Sequence, residues 1–124
     1  MANKRKTIAI VDDEKSIRAL VKRFLKNKYT VLEASDGEEA VNLARTQKPD
    51  LILMDIMMPN VDGYLACSVI KTDQTTKNIP VVMITAIDHE LNVKFSQEIG
   101  ASGYMTKPFN LDGLLSQVKQ VIGE

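Results

Sequence analysis

Residues 51–55 read Leu51-Ile52-Leu53-Met54-Asp55, four apolar side chains in succession closed by a carboxylate. A strand with one wet face would alternate apolar and polar positions. This run does not, and predicts a strand covered on both sides. Similar runs lie to either side of it. Thr7-Ile8-Ala9-Ile10-Val11 and the stretch from Tyr29 to Ala34 precede it; Val81-Val82-Met83-Ile84 and the short stretch from Gly103 to Thr106 follow.

Segments of helical period separate these runs. Ile17, Leu20, Val21, Phe24 and Leu25 fall at i, i+3, i+4, i+7 and i+8, the buried stripe of an amphipathic helix. Asp36 followed three residues later by Glu39 resembles a capping box. The helix it opens runs to about Gln47 and carries Ala40, Leu43 and Ala44 inward. A weaker helix from about Asp62 to Asp73 would turn Leu65, Val69 and Ile70 to the core. The segment from Asp88 to Ile99 has the thinnest stripe, with only Leu91, Phe95 and Ile99 in line. The last helix has the clearest: Leu111, Leu114, Leu115, Val118 and Ile122. Strand and helix thus alternate five times. The expected fold class is α/β, a doubly wound five-stranded parallel sheet with right-handed crossovers.

The chain has 124 residues, about one domain's worth, of which 44% are hydrophobic. No repeat, low-complexity stretch or Pro/Gly-rich linker divides it, so residues 1–124 read as a single domain with residues 1–5 as a flexible tail. Sixteen basic and sixteen acidic residues cancel, which leaves no global field for nucleic acid or an anionic membrane. The single cysteine, Cys67, cannot close an internal disulfide and reads as a small core hydrophobe. No apolar run approaches a membrane span or a signal peptide. A cytoplasmic location is expected. No output domain is visible after Glu124, and either a regulator that acts by docking or a piece of a longer chain is expected.

In parallel sheets of this kind functional groups gather beyond the carboxyl ends of the strands. There the sequence places Asp12-Asp13-Glu14 after the first strand and Asp55 after the third. Thr85-Ala86 follows the fourth and Lys107-Pro108 the fifth. Singly, each has an ordinary explanation. Asp12 or Asp13 could cap the following helix, Asp55 could be a solvated turn residue, and Thr85 a β-branched strand end. Lys107-Pro108 could be a plain turn before a helix, and Tyr104 an edge aromatic that only packs. Their joint placement on one rim is what those readings do not explain. Clustered carboxylates repel unless a cation is present, and oxygen-only ligands select a hard ion such as Mg²⁺. A carboxylate is a competent phosphoryl acceptor, with Lys and Thr to hold the remaining oxygens.

Asp12-Asp13, Asp55, Thr85 and Lys107-Pro108, in that order and each at a strand end, resemble the receiver domain of two-component response regulators, a CheY-like family. The resemblance covers residues 6–124. It implies a flavodoxin-like fold of strand order 2-1-3-4-5 and a phosphorylation-activated signalling switch. Asp55 would accept a phosphoryl group from a sensor histidine kinase or phosphotransfer protein. Asp12, Asp13, Asp55 and the backbone carbonyl of Met57 would hold Mg²⁺. Lys107, Thr85 and Ala86 would bind the phosphoryl group, and Thr85 and Tyr104 would relay its presence. An effector would dock on the 88–99 helix, the Tyr104 strand and the C-terminal helix. Met57 and Ile87, which cannot orient a water by a good hydrogen bond, would make phosphate loss slow. The module would catalyse its own phosphorylation and dephosphorylation without a turnover substrate.

Three competing functions fit the sequence less well. A phosphatase of the haloacid-dehalogenase type needs a general acid two residues past its nucleophile, where this chain has Met57. A flavin-binding module needs an electropositive phosphate loop after the first strand, where Asp12-Asp13-Glu14 would repel a phosphate. A receiver-like module that only binds partners would not need the full acidic set.

Overall fold

The computed structural model describes residues 5–56, 63–85, 97–106 and 110–124, with the side chain of Thr85 excepted. Five strands form one parallel sheet in the order β2-β1-β3-β4-β5. They are β1 (Thr7–Val11), β2 (Thr30–Ala34), β3 (Leu51–Asp55), β4 (Val81–Thr85) and β5 (Gly103–Thr106). The helices among the described residues are α1 (Lys15–Leu25), α2 (Gly37–Gln47), α3 (Gly63–Thr72) and α4 (Leu111–Ile122). The doubly wound fold and strand order expected above are those observed. Of the 88–99 segment only the end is described, where Gln97 and Glu98 are helical and Ile99 packs against the core.

The apolar strands are buried on both faces, and their side chains alternate between two cores. Ile8, Ile10, Leu51, Leu53, Val82 and Ile84 turn to the side of α1 and α4, where Val21, Leu25, Leu114 and Val118 meet them. Ala9, Val11, Ile52, Met54, Val81 and Met83 turn to the side of α2 and α3, against Ala40, Ala44, Ala66, Cys67 and Ile70. β3 is buried along its whole length, Asp55 included.

Local signals fix the helix ends. Asp36 is the N-cap of α2, and its carboxylate accepts from the Glu39 N–H at 2.8 Å. Glu39 answers with bonds to the N–H and hydroxyl of Ser35 at 3.1 and 2.7 Å. The capping box is therefore present, shifted by one residue on the return. Asn110 caps α4, and Gly123 ends it in the left-handed region at φ 81°. Arg5 donates to the carbonyls of Lys26 and Asn27 at 2.6 and 2.9 Å, tying the chain before β1 to the end of α1.

Three expected core residues lie outside the core, Val69 of α3 being half-buried on the flank between α2 and α3. Leu20 is 46% exposed and Leu65 is 53% exposed. In α3 the inward positions are Gly63, Ala66, Cys67 and Ile70, a stripe rotated from the expected one and made mostly of small side chains.

Candidate functional site

The register of the sheet builds the site. β1 and β3 are adjacent and parallel, with Val11 opposite Met54, so the next residues, Asp12 and Asp55, leave the sheet side by side. On the other side of β3, Asp55 pairs with Ile84, which sets Thr85 one residue further along the same rim. Thr85 in turn pairs with Thr106, and Lys107 follows it in the chain.

Asp12, Asp13 and Asp55 bring one carboxylate oxygen each to within 4.8 Å of one another. Asp13 is exposed, whereas Asp12 and Asp55 are 1% and 4% exposed. Three carboxylates this close, two of them out of bulk water, repel strongly unless a cation lies among them. The donors are all hard oxygens, and their number suits an ion that keeps part of its water shell. The residues present therefore fit Mg²⁺.

The position of Asp12 is fixed from several sides. Its N–H donates to the Ala34 carbonyl at 3.1 Å, and its Oδ1 accepts from the Glu14 N–H at 2.9 Å. Arg18 reaches from α1 with Nη1 to the Asp12 carbonyl oxygen at 2.7 Å and with Nε to Glu33 at 3.2 Å. The N-cap of α1 is Glu14, without a side-chain cap bond. Neither Asp12 nor Asp13 is thus the N-cap residue of α1, although Asp12 Oδ1 bonds the Glu14 N–H at the helix entrance. Asp55 is no solvated turn residue either, because it is buried as the last residue of β3.

Two residues that the sequence did not single out shape this rim. One is Arg18. The other is Gly63, whose N–H donates to the Ile56 carbonyl at 3.0 Å. A Cβ at Gly63 would run into the Asp55 carbonyl oxygen and come within 2.8 Å of the Ile56 Cα. Only glycine lets α3 start against the backbone that carries Asp55. Tyr104 is half-buried on β5 beside Met83 and packs against the α2/α3 core. Met57, Ala86, Ile87 and Lys107 lie outside the described residues, and of Thr85 only the backbone is described.

Comparison with known proteins agrees with this geometry. Residues 8–119 match the family model for the response regulator receiver domain. The chain is 42% identical to the alkaline phosphatase synthesis transcriptional regulatory protein PhoP of Bacillus subtilis, over 94% of this chain and 48% of that protein. Chemotaxis protein CheY4 of Vibrio cholerae superposes with a TM-score of 0.90 at 30% identity, covering 95% of this chain and 99% of that one. A response regulator structure from Chloroflexus aurantiacus gives 0.91 at 31% identity, covering 98% and 100%. The chain belongs to the response regulator receiver domain family, the signalling module of two-component systems. It spans about half the length of PhoP. Nothing in these matches supports the phosphatase reading. Among the described residues no helix is long and apolar enough to cross a membrane.

Proposed function

We propose that Asp55 is the phosphoacceptor and that Asp12 and Asp13 hold the Mg²⁺ on which its phosphorylation depends. The observation that carries this reading is the convergence of the three carboxylates at the end of the central, fully buried strand. When bound, Mg²⁺ neutralises charge on the phosphoryl oxygens and on the carboxylates facing them. An Asp55 oxygen attacks the phosphorus of a phosphohistidine in line with the departing imidazole nitrogen. The P–N bond breaks as the P–O bond of the acyl phosphate forms. Asp12 stays in place because its own N–H, its carbonyl and Oδ1 are already bonded. The backbone carbonyl of Met57 completes the ligands, and Lys107, Thr85 and Ala86 hold the phosphoryl oxygens.

The donor is a sensor histidine kinase or a phosphotransfer protein. Receiver domains work with histidine kinases and effector domains. In this chain the effector face is assigned to the 88–99 segment, the strand of Tyr104 and α4. Thr85 and Tyr104 carry the signal there, and Met57 and Ile87 slow the loss of phosphate by keeping its approach dry.

The test is incubation with a small-molecule phosphodonor and Mg²⁺, read by intact mass. Asp55→Asn is expected to remove labelling, and Asp13→Ala to weaken Mg²⁺ binding on the order of tenfold by taking away a formal charge. Labelling of Asp55→Asn at the wild-type rate would sink the assignment.

A further inference from the structure

The flank of α2 and α3 carries an open groove of about 730 Å³. Its walls are Glu38, Val41, Asn42 and Arg45 from α2 and Leu65 and Val69 from α3, together with Asp36 and Glu39, whose carboxylates are engaged in the capping box of α2. Leu65 is more exposed than any other large hydrophobic residue named among the described core and surface. The four α2 residues fall at i, i+3, i+4 and i+7 and so lie on one face, with Glu38 and Arg45 about 10 Å apart along the axis. The stripe thus reads acid, apolar, amide, base. A face of that kind is complementary to itself when reversed.

We propose that this groove is a docking surface for a second copy of the chain, formed by antiparallel packing of α2 on α2 about a twofold axis. In such an isologous contact each residue meets its counterpart's partner. Glu38 of each copy faces Arg45 of the other, so two ion pairs bracket the centre. Val41 lies near the axis, and Leu65 from each copy covers it. Arg45 can serve both its own chain and the second copy. Its bond to Asp73 at 3.0 Å uses Nε alone, and a guanidinium has four further N–H donors, about two on each terminal nitrogen. Among the described residues Glu38 has no ion pair within its own chain that competes for the role. Because α2 runs antiparallel to its copy, the two acidic rims open in opposite directions and neither blocks the other.

Sedimentation velocity over a concentration series, on the whole chain with Mg²⁺, tests this. Wild type is expected to show a weak monomer–dimer equilibrium. Glu38→Lys alone places like charges against Arg45 at both ends of the contact, and Arg45→Glu alone does so against Glu38. Each should raise the dissociation constant about tenfold or more. An equimolar mixture of the two variants restores opposite charges at both ends and should associate about as well as wild type. Leu65→Gln, on an exposed position, should weaken the dimer without touching the charges. A wild type that stays monomeric to its solubility limit overturns the proposal and leaves the groove to another occupant. So does a dimer that both charge variants keep, or a mixture that associates no better than its components.

Discussion

The two faces of the sheet are packed with side chains of different size. On the side of α1 and α4 the helices contribute Val21, Leu25, Leu114 and Val118, all branched aliphatic side chains. On the side of α2 and α3 the helices contribute Ala40, Ala44, Ala66 and Cys67, with Ile70 the one large residue that is fully buried. Large side chains hold a helix off a sheet and gain their stability from area removed from water. Small ones let backbones come close. The second arrangement matters for function, since α3 begins with Gly63 seated on the strand end that presents Asp55. The small-residue face thus brings a helix start directly onto the backbone of Asp55 and Ile56.

The largest effect that would sharpen this contrast is on stability. Leu114→Ala empties a fully buried site on the large-residue face and should cost about 2–5 kcal/mol. Ala66→Leu, on the opposite face, should cost a smaller amount, about 1–3 kcal/mol, by overpacking. Urea unfolding of both variants measures it. An Ala66→Leu variant as stable as wild type would break the comparison.

Gly63→Ala comes next, and it separates position from stability. Its Cβ meets backbone, which cannot swing away as a side chain would. A loss of about 1–3 kcal/mol is expected, together with weaker Mg²⁺ binding and slower labelling at Asp55, because the strand end must shift. Leu114→Ala should leave Mg²⁺ affinity of the folded protein nearly unchanged. If Gly63→Ala binds Mg²⁺ as wild type does, α3 does not position the site.

The same contrast explains what the sequence disclosed and what it withheld. β1 has the limits its residues suggested, and β3 needs only Asp55 added, because continuous apolar runs leave little choice; the half-buried β5 also has the expected limits. Asp12, Asp13 and Asp55 were legible for a topological reason: parallel strands deliver their carboxyl ends to one rim. Period reading failed where size mattered. It favoured Leu65 over Gly63 and Ala66, since it scores hydrophobicity and is blind to close approach, whereas Cys67 was read as a small core residue and is one. Leu20 failed similarly, at the margin of a stripe already filled by Val21 and Leu25. Arg18 gave no local signal. Its role depends on reaching the carbonyl of Asp12 and the carboxylate of Glu33, a contact only the tertiary structure supplies.

The last effect lies in the alkaline range, where Cys67 is buried on one face and Tyr29 on the other. On the small-residue face burial pushes the Cys67 thiol from 9.0 up to about 11, with Lys71 pulling weakly the other way. On the large-residue face burial pushes the Tyr29 hydroxyl from 10.0 up to about 12, aided by its 2.7 Å bond to Glu124 and by that carboxylate's charge. Both folded forms hold their proton more tightly than the unfolded chain does. Their contribution is therefore complete below the unfolded values and is lost as pH rises through the folded ones. Cys67 gives a decline between pH 9 and 11, and Tyr29 one between pH 10 and 12. Cys67→Ala should remove the earlier decline and keep the later one. Tyr29→Phe should do the reverse, and should also lose stability at neutral pH with the bond to Glu124. Urea midpoints of the three proteins across this range, taken as differences from wild type to cancel the lysines, give the answer. Coincident curves for wild type and Cys67→Ala would mean that the small-residue face admits water, and the close packing argued for α3 would fail with it.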